Sequence, residues 1–297
     1  MDILNLTINI LEQSALFSLV AIGVYITYKI LDFADLSVEG TYPLGAAIAA
    51  VLLVNGYNPW IATIGAMIGG AIAGFITAFL NVKLKITGLM SGILVMIALY
   101  SINLVIMGKS NTSLLGVETV FKRGSSKLLL IVIILVIVKV LMDLFMKTKA
   151  GYLLLAVGDN EQVVTSLGVN KKLVTIVGLM ISNGLVGLAG GLTAQYNGYA
   201  DVGMGTGVIV KGLACVIVGS TIFSRFRLIK RTTQAIIGTV IYYAAITIAL
   251  NFNLDPNLLN LLTAILIVIA LAAQNGIFTI KKKKRGDFLD VENKETI

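Results

Sequence analysis

Nine apolar stretches follow one another along the chain, near residues 9–31, 38–54, 58–80, 86–107, 128–146, 173–193, 207–223, 234–251 and 258–280. Most approach or exceed the roughly 20 residues that an α-helix needs to cross a hydrocarbon core of about 30 Å. A chain that is 57% hydrophobic and 13% charged has too little polar surface to cover a soluble body of 297 residues. The expected fold is therefore all-α: a polytopic helical membrane protein with about nine transmembrane helices. Thirty glycines against three prolines suggest helices in close contact.

Charge sets the expected orientation. One set of alternating loops carries Lys29, Lys83, Lys85, Lys147, Lys149, Lys171, Lys172, Arg225, Arg227, Lys230, Arg231 and the run Lys281 to Arg285, sixteen basic residues in all. The other set carries only Lys109, Lys122, Arg123 and Lys127. Short loops rich in Lys and Arg stay in the cytoplasm, so the N-terminus is expected outside and the C-terminus inside. The net charge of +8 then reflects topology and gives no reason to expect a nucleic-acid partner. The opening MDILNLTINI has no Lys or Arg and lacks the basic region of a signal peptide. Residues 1–280 read as one membrane domain, with 147–172 as its long cytoplasmic loop. Residues 281–297 read as a solvated, partly disordered tail whose lysines anchor the topology by default, with recognition of anionic lipid as the alternative.

A short repeat runs through these spans. Phe33-Ala34-Asp35 is echoed by Tyr199-Ala200-Asp201. With one extra residue in the second copy, Gly40, Gly45, Ala47 and Val51 fall opposite Gly207, Gly212, Ala214 and Val218. An odd number of spans separates the copies, so spans 1–4 and 6–9 are expected as inverted repeats joined by span 5. That arrangement is common in transporters, with the solute near the repeat interface.

Several chemistries are excluded. The chain has no histidine, and its one cysteine, Cys215, allows neither an internal disulfide nor a multi-cysteine metal site. Gly108-Lys109-Ser110 ends like a phosphate-binding loop, but Asn103 stands where that loop needs its first glycine. Gly203-Met204-Gly205-Thr206-Gly207 lacks dinucleotide-type spacing and reads as a turn or a helix contact. The GxxxG pairs Gly65/Gly69, Gly70/Gly74 and Gly187/Gly191 mark close helix packing, within the chain by default and between copies as the alternative. No catalytic or metal site and no cofactor are expected.

Two polar segments remain. Ile30 to Ala47 carries Asp32, Asp35 and Glu39 and then Pro43, just inside an apolar run. These carboxylates either stand in solvent at the cytoplasmic boundary or line a polar path, where a broken helix is tolerated beside a water-filled cavity. Phe33, Asp35, Glu39, Pro43, Tyr100, Asn103, Gln195, Tyr196, Asn197 and Asp201 are the candidate path or gate residues. The second segment is Ala156 to Asn170, AVGDNEQVVTSLGVN. Asp159 and Gln162 have capping-box spacing and Gly168 suits a helix end, which predicts a two-turn helix over 160–167. A helix that short needs something to pack against.

These stretches carry a resemblance. Ala21 to Ala46, Ile86 to Gly92 and Tyr199 to Gly219 resemble permease subunits of ATP-binding-cassette importers of the branched-chain amino acid and ribose type. Gly151 to Asn170 resembles that family's coupling segment, although Leu155 stands where relatives commonly carry a basic residue. The resemblance implies a bacterial plasma-membrane protein that forms the path for a small solute, in the subgroup assigned to amino acids such as tryptophan and tyrosine. It implies a separate ATPase that binds ATP and Mg, an extracytoplasmic binding protein, and a second copy of this chain. It also implies that Gly151, Asp159, Asn160, Glu161, Gln162, Leu167 and Gly168 meet the ATPase. The competing reading is a secondary transporter driven by an ion gradient, with Asp35, Glu39 or Asp201 as ion sites. A membrane enzyme would need a constellation of reactive groups that the spans do not hold.

Overall fold

A computed structural model describes residues 3–121, 126–159, 170–223, 229–251 and 258–274. The first apolar run forms α1 (Ile3–Val24), which widens into a π-helical turn over Tyr25–Ile30. Then come α2 (Val38–Val54), α3 (Pro59–Leu84) and α4 (Gly88–Met107). Asn58 starts α3 by accepting from the Trp60 amide, with Pro59 in the first turn, where a missing N–H costs nothing. Gly108, in the left-handed region at φ 68°, ends α4. A short strand β1 (Asn111–Ser113) precedes α5 (Lys127–Phe145) and α6 (Lys149–Asp159). The longest helix, α7 (Lys171–Asn197), is capped by Asn170 and closed by Gly198. A strand β2 (Tyr199–Asp201) and a 3₁₀ turn (Val202–Gly205) lead into α8 (Val208–Phe223), α9 (Arg231–Asn251) and α10 (Leu259–Gln274).

The molecule is helical, and seven of its described helical segments are long and apolar enough to cross a membrane. Of the three shorter apolar helices among the described residues, α2 and α10 fall where spans were expected, and α6 does not. Two features were not expected. The loop after α5 contains a helix, α6, of which Asp159 is the last residue. Asn160, Glu161, Gln162, Leu167 and Gly168 lie outside the described residues, as does the 281–297 tail. The all-α description also omitted an antiparallel ladder pairing β1 with β2, Thr112 opposite Ala200.

Helices α1, α2 and α7 form the centre, while α3, α4, α5 and α10 turn apolar faces outward. Helix α2 packs on α3, α4 and α7, and α8 packs on α9, α10 and α1; α3 lies along α7, and α9 along α1. The tightest seams are built from glycine. A Cβ on Gly74 would stand 2.3 Å from the Leu179 carbonyl oxygen, and one on Gly70 2.3 Å from that of Asn183. Gly187 backs onto Ala66, Gly191 onto the Ala66 methyl, and Gly65 and Gly69 onto Leu52 and Ile48 of α2. All three GxxxG pairs thus serve packing within the chain.

Charged residues tie the helix ends together. Asp143, near the end of α5, accepts from Lys139 at 2.8 Å, Lys230 at 2.9 Å and Thr232 at 2.7 Å, which joins α5 to the start of α9. Both lysines remain partly exposed, so Asp143→Ala is expected to cost only about 1 kcal/mol. The check is a small fall in the thermal midpoint of the detergent-solubilised protein. At the opposite end, the β1–β2 ladder and the bond from the Leu114 amide to the Gly198 carbonyl join the 108–121 segment to the end of α7.

Candidate functional site

Two helices start inside the body of the protein. After the π turn, residues 31–37 run without regular structure, and Asp32 adopts φ +49°. Gly88 and Gly92 of α4 let this segment in, since a Cβ at either would collide with the Phe33 ring or the Leu36 amide. Asp35 is buried, 2% exposed, and does not stand in solvent. One carboxylate oxygen accepts from the Ser37 amide at 2.9 Å and from the Ser37 hydroxyl. The other accepts from the Asn183 side-chain amide at 2.7 Å. Asn183 in turn accepts from Thr41 at 2.8 Å. Asn183 lies near the middle of α7, so this pair fixes the start of α2 at depth.

The second such start belongs to α8. Asp201 accepts from the Gly203 amide at 2.7 Å, the same two-residue turn that Asp35 makes with Ser37. The 3₁₀ segment then presses Gly205 against the Glu39 carbonyl. Pro43, four residues after Glu39 and inside α2, has no N–H to give that carbonyl, so it stays free of the helix ladder. The Glu39 carboxylate lies against the backbone N–H groups of Gly207 and Ile209 at the start of α8, with Lys211 nearby. An acid there complements both the open amides and the helix dipole.

Between these two helix starts and α4 is an open cavity of about 390 Å³. Glu39, Pro43, Tyr100 and Asn103 line it together with Met96 and Thr206. Asn103 is fully buried; its side-chain nitrogen donates to the Gly40 carbonyl at 3.2 Å, and its oxygen has no partner. Four candidate path residues thus converge on one space.

The other candidates lie elsewhere. Phe33 packs at the start of α4, and Asp35 is enclosed in its own network. Gln195 donates to Thr63 at 2.9 Å and accepts from the Val120 amide at 3.2 Å. Tyr196 donates to Glu12 at 2.7 Å, and Lys127 sits 5.5 Å above its ring. Asn197 borders a separate cavity of about 260 Å³ beside Tyr42, Tyr196 and Tyr243. Asp201 also accepts from Asn111 at 3.2 Å, in the β ladder. Gly151 backs onto the Phe145 carbonyl at the turn between α5 and α6.

Sequence reasoning passed over Asn183, Thr41, Lys211 and Glu12. Lys211 and Glu12 could have been found, because a charge inside an apolar run signals a partner or a path. Asn183 carries no such mark, because a lone Asn within a span is a common interhelical contact. Among the described residues, no three His, Cys, Asp or Glu side chains group to hold a metal.

Comparison with known proteins agrees with this architecture. A family model described as the permease component of a branched-chain amino acid transport system matches residues 6–271. A tyrosine transport system permease protein of Clostridioides difficile (strain R20291) is 48% identical over 275 residues, covering 93% of each chain. A fructose import permease protein of Bifidobacterium longum (strain NCC 2705) is 25% identical over 94% of this chain and 81% of its own. Among solved structures, PsaBC from Streptococcus pneumoniae in complex with Fab superposes with a TM-score of 0.54, covering 89% of this chain and 90% of that one at 14% identity. That last likeness concerns the fold alone. Buried polar helix starts, an open cavity beside them and a family match along nearly the whole chain lead to one assignment: this multi-pass membrane protein belongs to the branched-chain amino acid transport system permease family, the membrane component of an ABC-type transporter and not an enzyme.

Proposed function

We propose that this permease forms the path by which a small solute, an amino acid, is imported, driven by a separate ATPase and supplied by an extracytoplasmic binding protein. The observation that carries this reading is the cavity where α2 and α8 begin at depth, in a chain 48% identical to a tyrosine transport permease. Broken helices whose ends face a cavity are how membrane proteins expose backbone polar groups to a solute.

The packing supports two inverted repeats. Pairing α1 with α7, α2 with α8, α3 with α9 and α4 with α10 turns the contacts of α2 with α3, α4 and α7, and of α3 with α7, into those of α8 with α9, α10 and α1, and of α9 with α1. The matched turns at Asp35 and Asp201 fall in the same places. The orientation is N-terminus outside and C-terminus inside, which puts Lys29, Lys83, Lys147 and Lys230 on the cytoplasmic side. On that side the 147–172 loop docks on the ATPase through Gly151, Asp159 and residues 160–168. ATP and Mg bind to that partner, and this chain carries no cofactor. Two copies pair, with the outward faces of α4 and its cavity on the shared path.

The test is affinity purification of the tagged permease from its native membrane, beside a variant with Glu161→Arg and Leu167→Arg. An ATP-binding subunit is expected with the parent and absent from the variant. A parent that purifies alone, and that transports on an ion gradient without ATP, defeats the proposal.

A further inference from the structure

We infer that the cavity between α2, α4 and the Val202–Thr206 segment reads the α-ammonium group of its solute, through the Glu39 carboxylate and the Asn103 side-chain oxygen. This selects a zwitterionic amino acid over a neutral polyol. The inference rests on the reading above that the cavity lies on the solute path.

The polar groups at this cavity are unbalanced in a particular way. Asn103 is fully enclosed, and its nitrogen is already committed to the Gly40 carbonyl. That bond fixes which end of the amide is the oxygen, and the oxygen has no donor. A buried acceptor left without a donor is unfavourable, and a donor arriving from the cavity would satisfy it. Glu39 adds a second acceptor on the same wall. An ammonium group offers three donors and a positive charge, and so satisfies both acceptors at once.

The charges point the same way. Glu39 now faces Lys211 and the open amides of Gly207 and Ile209. A charge at membrane depth is tolerated only with a partner. A zwitterion brings both partners. Its ammonium takes the Glu39 carboxylate, and its carboxylate takes the α8 amides and Lys211 that Glu39 releases. Every charge stays paired throughout the exchange, and no proton needs to move. A polyol has no charge to offer, so it would leave Glu39 where it is. The remaining wall is apolar and aromatic, with Pro43, Met96, Ile97 and Tyr100, which suits a large side chain. The volume of about 390 Å³ falls in the range of small-molecule sites.

The experiment uses the full-length permease with its ATPase in lipid nanodiscs, without the binding protein, and saturation-transfer NMR titrations of weak ligands. The probes are L-tyrosine, L-tryptophan, 3-(4-hydroxyphenyl)propionate, which lacks the ammonium, and D-fructose. One or both amino acids are expected to bind, with the propionate and fructose about ten-fold weaker or silent. Glu39→Gln and Asn103→Leu are each expected to weaken the amino acid about ten-fold. Asn103→Asp keeps an acceptor and is expected to retain binding. Should Glu39→Gln fail to fold, as judged by size exclusion and recovery of the ATPase, the Asn103→Leu and Asn103→Asp pair still decides. Equal binding of L-tyrosine and the propionate, undiminished binding in Glu39→Gln and Asn103→Leu, or silence from both amino acids overturns the inference. If ATP-dependent amino-acid uptake by the complete system holds in that event, the inference falls alone. If no ATPase joins the permease and no uptake occurs, the proposed function falls with it.

Discussion

Gly45→Leu is expected to abolish folded protein. A Cβ at Gly45 would stand 2.0 Å from the Gly187 carbonyl oxygen and 2.7 Å from its Cα, both backbone atoms of α7. Helix α7 has no room to retreat, because a Cβ at Gly187 itself would lie 2.5 Å from the Ala66 carbonyl of α3. Three helices are therefore stacked through Gly45, Gly187 and Gly70, and a side chain at the first forces the whole stack apart. Overpacking a core by a few methylenes costs about 1–3 kcal/mol when side chains can adjust. Here only backbone can move, so the cost approaches the total stability of about 5–15 kcal/mol. Gly65→Ala is the control, since its nearest neighbour is the flexible end of Leu52 at 3.1 Å. Fluorescence-detected size exclusion of tagged protein should show Gly45→Leu aggregated and Gly65→Ala monodisperse near the parental melting point. A monodisperse Gly45→Leu with an unchanged melting point would mean that α2 and α7 do not meet in this way.

What the sequence made legible follows from range. Spans are set by local hydropathy and length, and an apolar helix coincides with each of the nine expected stretches. Glycine pairs at helical spacing announce close packing, and the seams between α2, α3 and α7 run through them. Helix α6 was passed over because its apolar run, Tyr152 to Val157, is far too short to cross a membrane, and the cap residues Asp159, Gln162 and Gly168 drew the expected helix to 160–167 instead. Pro43 suggested a break, yet α2 continues through it. The disturbance is instead absorbed at Glu39, whose carbonyl faces Gly205. The candidate site was legible only in part. Glu39, Pro43, Tyr100 and Asn103 meet in one cavity, but Gln195 and Tyr196 are held by partners such as Thr63 and Glu12, which no local pattern links to them. The pairing of Asp35 with Asn183 spans 148 positions, and nothing near either residue signals it.

That pairing supports the other large expectation. Asn183→Asp should destabilise the permease far more than its small change in shape suggests, and exchanging the two side chains should undo the damage. Asn183 donates to Asp35 at 2.7 Å and accepts from Thr41 at 2.8 Å, with both residues fully enclosed. An aspartate there sets two carboxylates against each other where no water screens them. Leaving a buried charge without its partner costs on the order of 3–5 kcal/mol. In the double variant Asp35→Asn with Asn183→Asp, the amide and the acid have traded places. The asparagine at 35 accepts from Ser37 and donates across the gap, while the aspartate at 183 accepts from it and from Thr41. The bond to the Leu179 carbonyl at 3.2 Å is lost and a carboxylate oxygen faces that carbonyl instead, so the recovery is partial. A double-mutant cycle of melting points in detergent reads this directly as a coupling energy. Recovery of more than half the loss in the swapped protein is the expected outcome. Without recovery, the pair is not what holds the start of α2 at depth, and the mid-membrane placement of Glu39 loses its support. With recovery, the contact that positions Glu39 beside the cavity is a polar lock between α2 and α7.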